Sequence, residues 1–188
     1  MCTGAHPKDN MVPLPDKTAK GELTAPYKRM ETQVNNFNKF MTFYNIKVLS
    51  TQDKWVENGL EGTLDILALA QSDIKDGKGN ILIEAGKEFI IDIKSTGLLD
   101  DKWNDYGWNL DMLAEKQKLT LQPVHYKYLS ILKFGREYDF LFLLFSTTND
   151  YDFRSILFKI TDQNIQEHKQ VIAKSVSLLK SLLAKGTP

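Results

Sequence analysis

Cysteine is almost absent from this chain. Cys2 is the only one, so no internal disulfide can form and the four thiolates of an iron–sulfur cluster cannot be supplied. An intracellular, cytoplasmic setting is the expectation. Histidine is nearly as scarce: His6, His125 and His168 lie far apart without paired spacing, which argues against a structural zinc site. Neither sign of charge is in excess, since Lys and Arg total 24 and Asp and Glu total 24. A binder that relied on a global positive field is therefore disfavoured, although a bound cation with a local basic patch can still attract phosphate. Apolar runs are short as well, with none long enough for a membrane span and no signal-peptide core in Met1 to Asn10. No membrane association is expected, and no internal repeat or low-complexity tract appears.

What is present suffices for one substantial core. The 188 residues are 42% hydrophobic and 11% aromatic, and no composition shift divides them. Residues 1–26 carry Pro7, Pro13, Pro15 and Pro26 among polar residues, which suits an extended arm. Residues 27–188 are expected to form a single domain. Met30, Val34, Phe37, Phe40 and Met41 recur at steps of three and four, predicting an amphipathic helix from Tyr27 to about Tyr44. Ile46 to Val56 and Glu61 to Ala70 read as strands joined by the Glu57-Asn58-Gly59 turn, a hairpin. Asp73 to Asn80 reads as a loop, Ile81 to Ile83 as a short edge piece, and Glu88 to Ser95 as a third strand. An aromatic, acidic connector (Leu99 to Trp108) and a short helix through Leu110, Leu113 and Ala114 follow. A separate helix is expected from about Thr120, as N-cap, with Pro123 in its first turn. Tyr138 to Phe145 and Phe153 to Ile160 are apolar enough for buried strands. Asp162 to Leu183 places Ile165, Ile172, Val176, Leu179 and Leu183 on one helical stripe, with Lys169, Lys174 and Lys180 left for solvent.

Two of these strands carry charge where a strand buried on both faces would not. In Ile90-Ile91-Asp92-Ile93-Lys94, alternation turns Asp92 and Lys94 to one face and Ile91 and Ile93 to the other. On the earlier strand the same parity groups Glu61, Thr63 and Asp65, while Gly62 leaves room for a backbone or a phosphate to approach closely. Pairing of these strands would bring Asp65 near Asp92. Two converging carboxylates repel unless a cation lies between them, and a hard ion such as Mg²⁺ or Mn²⁺ suits two carboxylates, the backbone carbonyl of Ile93 and waters. Lys94 would then orient a nucleophile or offset charge that develops at phosphorus. Each motif alone is commonplace, because an Asp-x-Lys in a strand is usually an ordinary cross-strand ion pair. Their order and strand context make the case jointly. Gln122 and Tyr126, four apart on a helix, project from one face, beside a core stripe of Leu121, Val124, Tyr128 and Ile131.

Glu61-Gly62-Thr63-Leu64-Asp65, Ile91-Asp92-Ile93-Lys94, and then Gln122 and Tyr126 resemble the successive motifs of the PD-(D/E)XK nuclease superfamily, in particular its RecB-like and phage-exonuclease branch. The resemblance spans about residues 27–160. It implies an α/β (mixed α+β) fold, a central mixed β-sheet flanked by helices with a restriction-endonuclease-like αβββαβ core. It also implies a metal-dependent deoxyribonuclease, an exonuclease more than a site-specific endonuclease, working in recombination, repair or phage DNA processing. By that likeness Asp65, Asp92 and the Ile93 carbonyl would hold Mg²⁺ or Mn²⁺, and Lys94 would be the catalytic lysine. Gln122 and Tyr126 would help to place the DNA strand or the lysine, and Glu31 on the first helix is the candidate for a further metal ligand. DNA is the implied partner, with a recombination or replication protein beside it. No feature of the chain specifies an oligomer interface. Asp92 stands where Glu is commoner in the family, which shortens the reach by one methylene but keeps the ligand type. The cysteines of the iron–sulfur relatives are missing.

Two rival readings make different predictions. A nuclease fold that has lost turnover and serves as a DNA- or protein-binding module of a larger assembly would fit the neutral charge; a metal-independent interaction domain would not need Lys94. For Trp103, Tyr106 and Trp108, loop or core packing is preferred over stacking on unpaired bases. His125 reads as a neutral histidine on the helix surface.

Overall fold

The structure is a computed structural model and describes residues 17–18, 20–96, 113–147, 153–158 and 162–184. Most of the proposed arm, the aromatic connector with Trp103, Tyr106 and Trp108, and most of the turn from Thr147 to Asp152 lie outside the described residues.

The chain order is α1 (Ala25–Phe43), β1 (Ile46–Glu57), β2 (Leu60–Ala70), β3 (Ile74–Lys75), β4 (Ile81–Ile83), β5 (Glu88–Thr96), α2 (Leu113–Phe134), β6 (Asp139–Ser146), β7 (Phe153–Phe158) and α3 (Asp162–Ala184). Five strands form one mixed sheet in the order β1-β2-β5-β6-β7, antiparallel except for the parallel pair β5 and β6. With the β3-β4 hairpin set aside as an insertion, the order from α1 to β6 is the expected αβββαβ. Asn58 and Gly59 both have positive φ (50° and 77°), which closes the β1-β2 hairpin with the twist that two-residue turns favour.

Each face of the sheet has its own core. On one side Phe37, Phe40 and Met41 of α1 pack on Ile66, Ala68, Phe89, Ile91, Leu141, Leu143 and Phe145. On the other, Val124, Tyr126 and Leu129 of α2 pack on Ile90, Phe140, Phe142 and Leu144. A strand buried on both faces reads as an unbroken apolar run, and Phe140 to Phe145 is one.

Several expectations need correction. Asp73 to Asn80 is not all loop, because Ile74 and Lys75 pair with the β4 segment in a small separate sheet. No new helix starts at Thr120: a single helix runs from Leu113 to Phe134 with Pro123 inside it. Proline removes one N–H from the ladder, and here packing of the flanking turns on the sheet outweighs that loss. Met30 and Val34 on α1, and Leu121 on α2, are exposed rather than core. Along α3 only His168 is buried; Ile165 and Ile172 are half-buried, while Val176, Leu179 and Leu183 are 46%, 57% and 66% exposed, so the C-terminal part of that stripe has no cover among the described residues. No described helix is long and apolar enough to cross a membrane.

Candidate functional site

The site forms where β2 and β5 part. Their ladder runs from Leu69 opposite Glu88 to Ile66 opposite Ile91, and the next pair would set Asp65 against Asp92. There the side chain of Asp65 replaces the ladder: its Oδ2 accepts the Ile93 backbone N–H at 2.9 Å. Within an extended strand the N–H and C=O of one residue point to the same edge, so the Ile93 carbonyl also opens toward Asp65. On its other edge β5 stays paired with β6 through Thr96.

Asp92 sits deeper, 2% exposed, on the α2 side of the sheet. Its Oδ1 accepts a hydrogen bond from Gln122 Nε2 at 2.6 Å, and Lys94 Nζ stands 2.7 Å from its Oδ2. Oδ2 is thus a buried carboxylate oxygen whose partner is the Lys94 ammonium. Burial, opposed by Lys94 and reinforced by the charge of Asp65, pushes the Asp92 carboxyl up to about 6.

Tyr126 and His125 brace the start of β2 from α2. The Tyr126 hydroxyl donates to the Thr63 carbonyl at 2.6 Å, and its ring lies on Gly62, where an added Cβ would come within 2.5 Å of Cε1. The space at Gly62 is thus taken by a tyrosine ring. Burial pushes the Tyr126 phenol above its ordinary range. His125 Nε2 stands 3.0 Å from the Glu61 carbonyl, which can only accept, so this nitrogen carries the proton. On α3, His168 Nε2 lies 3.3 Å from His125 Nδ1, and the two rings share a proton there. His168 Nδ1 is left buried and without a hydrogen-bond partner among the described residues, and burial beside His125 lowers the pKa of His168. His125 is accordingly a half-buried link between α3 and β2.

The structure therefore brings Asp65, Asp92, Lys94, the Ile93 carbonyl and Gln122 together, with Tyr126 supporting them from behind. Glu31 is exposed on α1, and among the described residues no group of three or more His, Cys, Asp or Glu side chains converges as a metal cage. Two carboxylates and a carbonyl, all oxygen, nevertheless fit a hard divalent ion, which commonly takes only one or two protein carboxylates and fills its shell with water and phosphate. The burial of the Asp92 carboxylate and the repulsion between it and Asp65 are the features that such an ion would relieve.

No family model and no curated protein sequence matches the chain. A solved structure from Eubacterium rectale does match. It bears the description "putative exonuclease", superposes with a TM-score of 0.57 at 18% identity, and covers 92% of this chain. The two share a fold. This chain spans 59% of the length of that structure. At such identity the likeness speaks for the mixed sheet flanked by helices and leaves the chemistry to the residues described above. The sequence missed the links from His125 to Glu61 and His168, because three isolated histidines carry no signal of meeting.

Proposed function

We propose that the protein is a divalent-metal-dependent deoxyribonuclease of the PD-(D/E)XK type that hydrolyses phosphodiester bonds, acting as an exonuclease. The observation that carries this reading is the pair of carboxylates, Asp65 and Asp92, at the opening between β2 and β5, with Lys94 beside them. The fold shared with the structure described as a "putative exonuclease" supports it.

Asp65, Asp92 and the Ile93 carbonyl would hold Mg²⁺ or Mn²⁺. When bound, that ion supplies Lewis-acid polarisation of a phosphoryl oxygen and lowers the pKa of water. Asp92 must be ionised to act as a ligand, so its elevated pKa keeps the ion-free site partly protonated near pH 6. Gln122 holds Asp92 Oδ1 and so fixes the plane of that carboxylate. Lys94, with its side chain 31% exposed, bears a positive charge at the mouth of the site. From that position the ammonium would donate to an attacking water or to phosphate oxygens as they gain charge. Tyr126 acts on the backbone, keeping Thr63 and hence Asp65 at a set distance from α2.

End-labelled linear DNA and closed circular DNA, single- and double-stranded, should be incubated with Mn²⁺, Mg²⁺ or EDTA. Loss of linear DNA alone, dependent on the ion and reduced by about 10²–10³ in Asp92→Ala and Lys94→Ala, is the expected result. A Lys94→Ala protein that cut at the parental rate would overturn the mechanism. Cutting of circles would make the enzyme an endonuclease. No cleavage, together with no stabilisation by Mn²⁺, would favour a nuclease-fold binding module.

A further inference from the structure

Gln52 has an unexpected backbone for the middle of a strand. Its φ is 53°, and the other two non-glycine residues with positive φ among the described residues are asparagines beside turns, Asn45 and Asn58. Asparagine visits this region readily; glutamine within a strand holds it only where the surroundings over-determine it. They do so here. Asp53 Oδ2 accepts from Ser50 Oγ at 3.4 Å and from Trp55 Nε1 at 3.2 Å, a bracket that closes over Gln52, and Trp55 is 1% exposed in the core.

The kink falls directly across from the site. Thr51 faces Ile66 and Asp53 faces Leu64, so Gln52 stands opposite Asp65, just past a register shift between Val48 and Ser50. Leu64 and Ile66 are two apart on β2 and should share a face, yet they belong to the opposite cores of the sheet. Side-chain alternation therefore breaks at Asp65, and its carboxylate reaches the β5 backbone. Gln52 Nε2 lies 3.4 Å from Asp65 Oδ1, while Oδ2 takes the Ile93 N–H at 2.9 Å. At 3.4 Å the amide contact is long, so the constrained backbone rather than the bond itself keeps Gln52 in place.

We propose that Gln52 is a positioning residue for Asp65. The kink in β1 sets the amide against Oδ1 and so selects the carboxylate orientation in which Oδ2 binds Ile93 and Oδ1 stays at the mouth of the site. Its consequence for metal binding rests on the nuclease reading above; its effect on Asp65 does not.

Two variants separate these levels. Gln52→Gly removes the amide and suits the positive φ, while Gln52→Lys keeps a donor of similar reach. Amide hydrogen exchange at Ile93, measured by NMR without metal, should quicken in Gln52→Gly and stay near the parental rate in Gln52→Lys, with Tm of the glycine variant no lower than the parent's. Titration with Mn²⁺ followed by electron paramagnetic resonance should show affinity about tenfold weaker in Gln52→Gly, the scale seen when a partner of a metal ligand is removed. Unchanged exchange at Ile93 in Gln52→Gly overturns the proposal, as does faster exchange throughout the sheet with a lowered Tm. If the parent binds no Mn²⁺ while Ile93 still responds, the positioning role stands and the metal-site reading is what fails.

Discussion

β5 has two edges that do different work. Toward β6 it pairs in parallel from Phe89 to Thr96, between side chains buried on both faces of the sheet, and Phe140, Phe142, Leu143 and Leu144 show no exposed surface. Toward β2 it pairs only from Glu88 to Ile91 and then opens, leaving Ile93 to a carboxylate and Asp92 to Gln122 and Lys94. One strand thus serves as a packing element on one edge and as a support for charged groups on the other. The difference lies in the partners: the apolar run Phe140 to Phe145 of β6 can only satisfy backbone, whereas Asp65 brings a side-chain acceptor into the ladder.

The largest effect should come from breaking the packed edge. Phe142→Ala removes a fully buried ring facing α2 and is expected to cost about 3–5 kcal/mol in a urea melt. A loss below 1 kcal/mol would mean that this core is loosely packed. The open edge should respond to a smaller change, because Gly62→Ala forces a Cβ against the Tyr126 ring and should cost about 1–3 kcal/mol. Combination with Tyr126→Leu should be less damaging than the sum of the two changes, since the clash then has no ring to meet. Additive losses would show that the contact does not act as drawn.

The pH dependence of stability sharpens the contrast of the two edges. Asp92 has a raised pKa in the fold, about 6, so its contribution to stability is fully present below the unfolded value of 3.8 and is lost as pH rises through about 6. In the absence of metal, the stability of Asp92→Asn relative to the parent should therefore grow across that window and then level off. Parallel curves would refute the burial of a charged Asp92. His168 works with the opposite sign, because its lowered pKa makes stability fall as pH drops below the ordinary histidine range. The comparison of Asp92→Asn with its parent cancels that shared term.

Much of the fold was legible because hydrophobic period is a local property. The helix at Tyr27 to Tyr44, the hairpin around Asn58-Gly59 and the apolar run of β6 all lie within a residue or two of their predicted bounds. The two-helix reading around Thr120 failed because it weighed Pro123 locally, while the helix is held by the sheet beneath it. The α3 stripe was read correctly as apolar, but periodicity states only that a face seeks cover and not whether cover is there. In the site, Asp65, Asp92, Lys94 and Gln122 were singled out by motif and parity, and the structure brings them together. Parity was the wrong reason for Asp65, whose strand breaks alternation at that residue.

By itself the sequence determined which residues carry charge inside apolar strands, and hence which groups are available for chemistry. Only the tertiary structure decided how they are used: that Gly62 is filled by Tyr126, that His125 joins Glu61 to His168, and that Gln52 faces Asp65 from a kinked strand. The physical reason is range. Side-chain period and turn chemistry act over a few residues, whereas these contacts join positions 13 to 64 apart, and their geometry depends on how strands twist and helices settle on them.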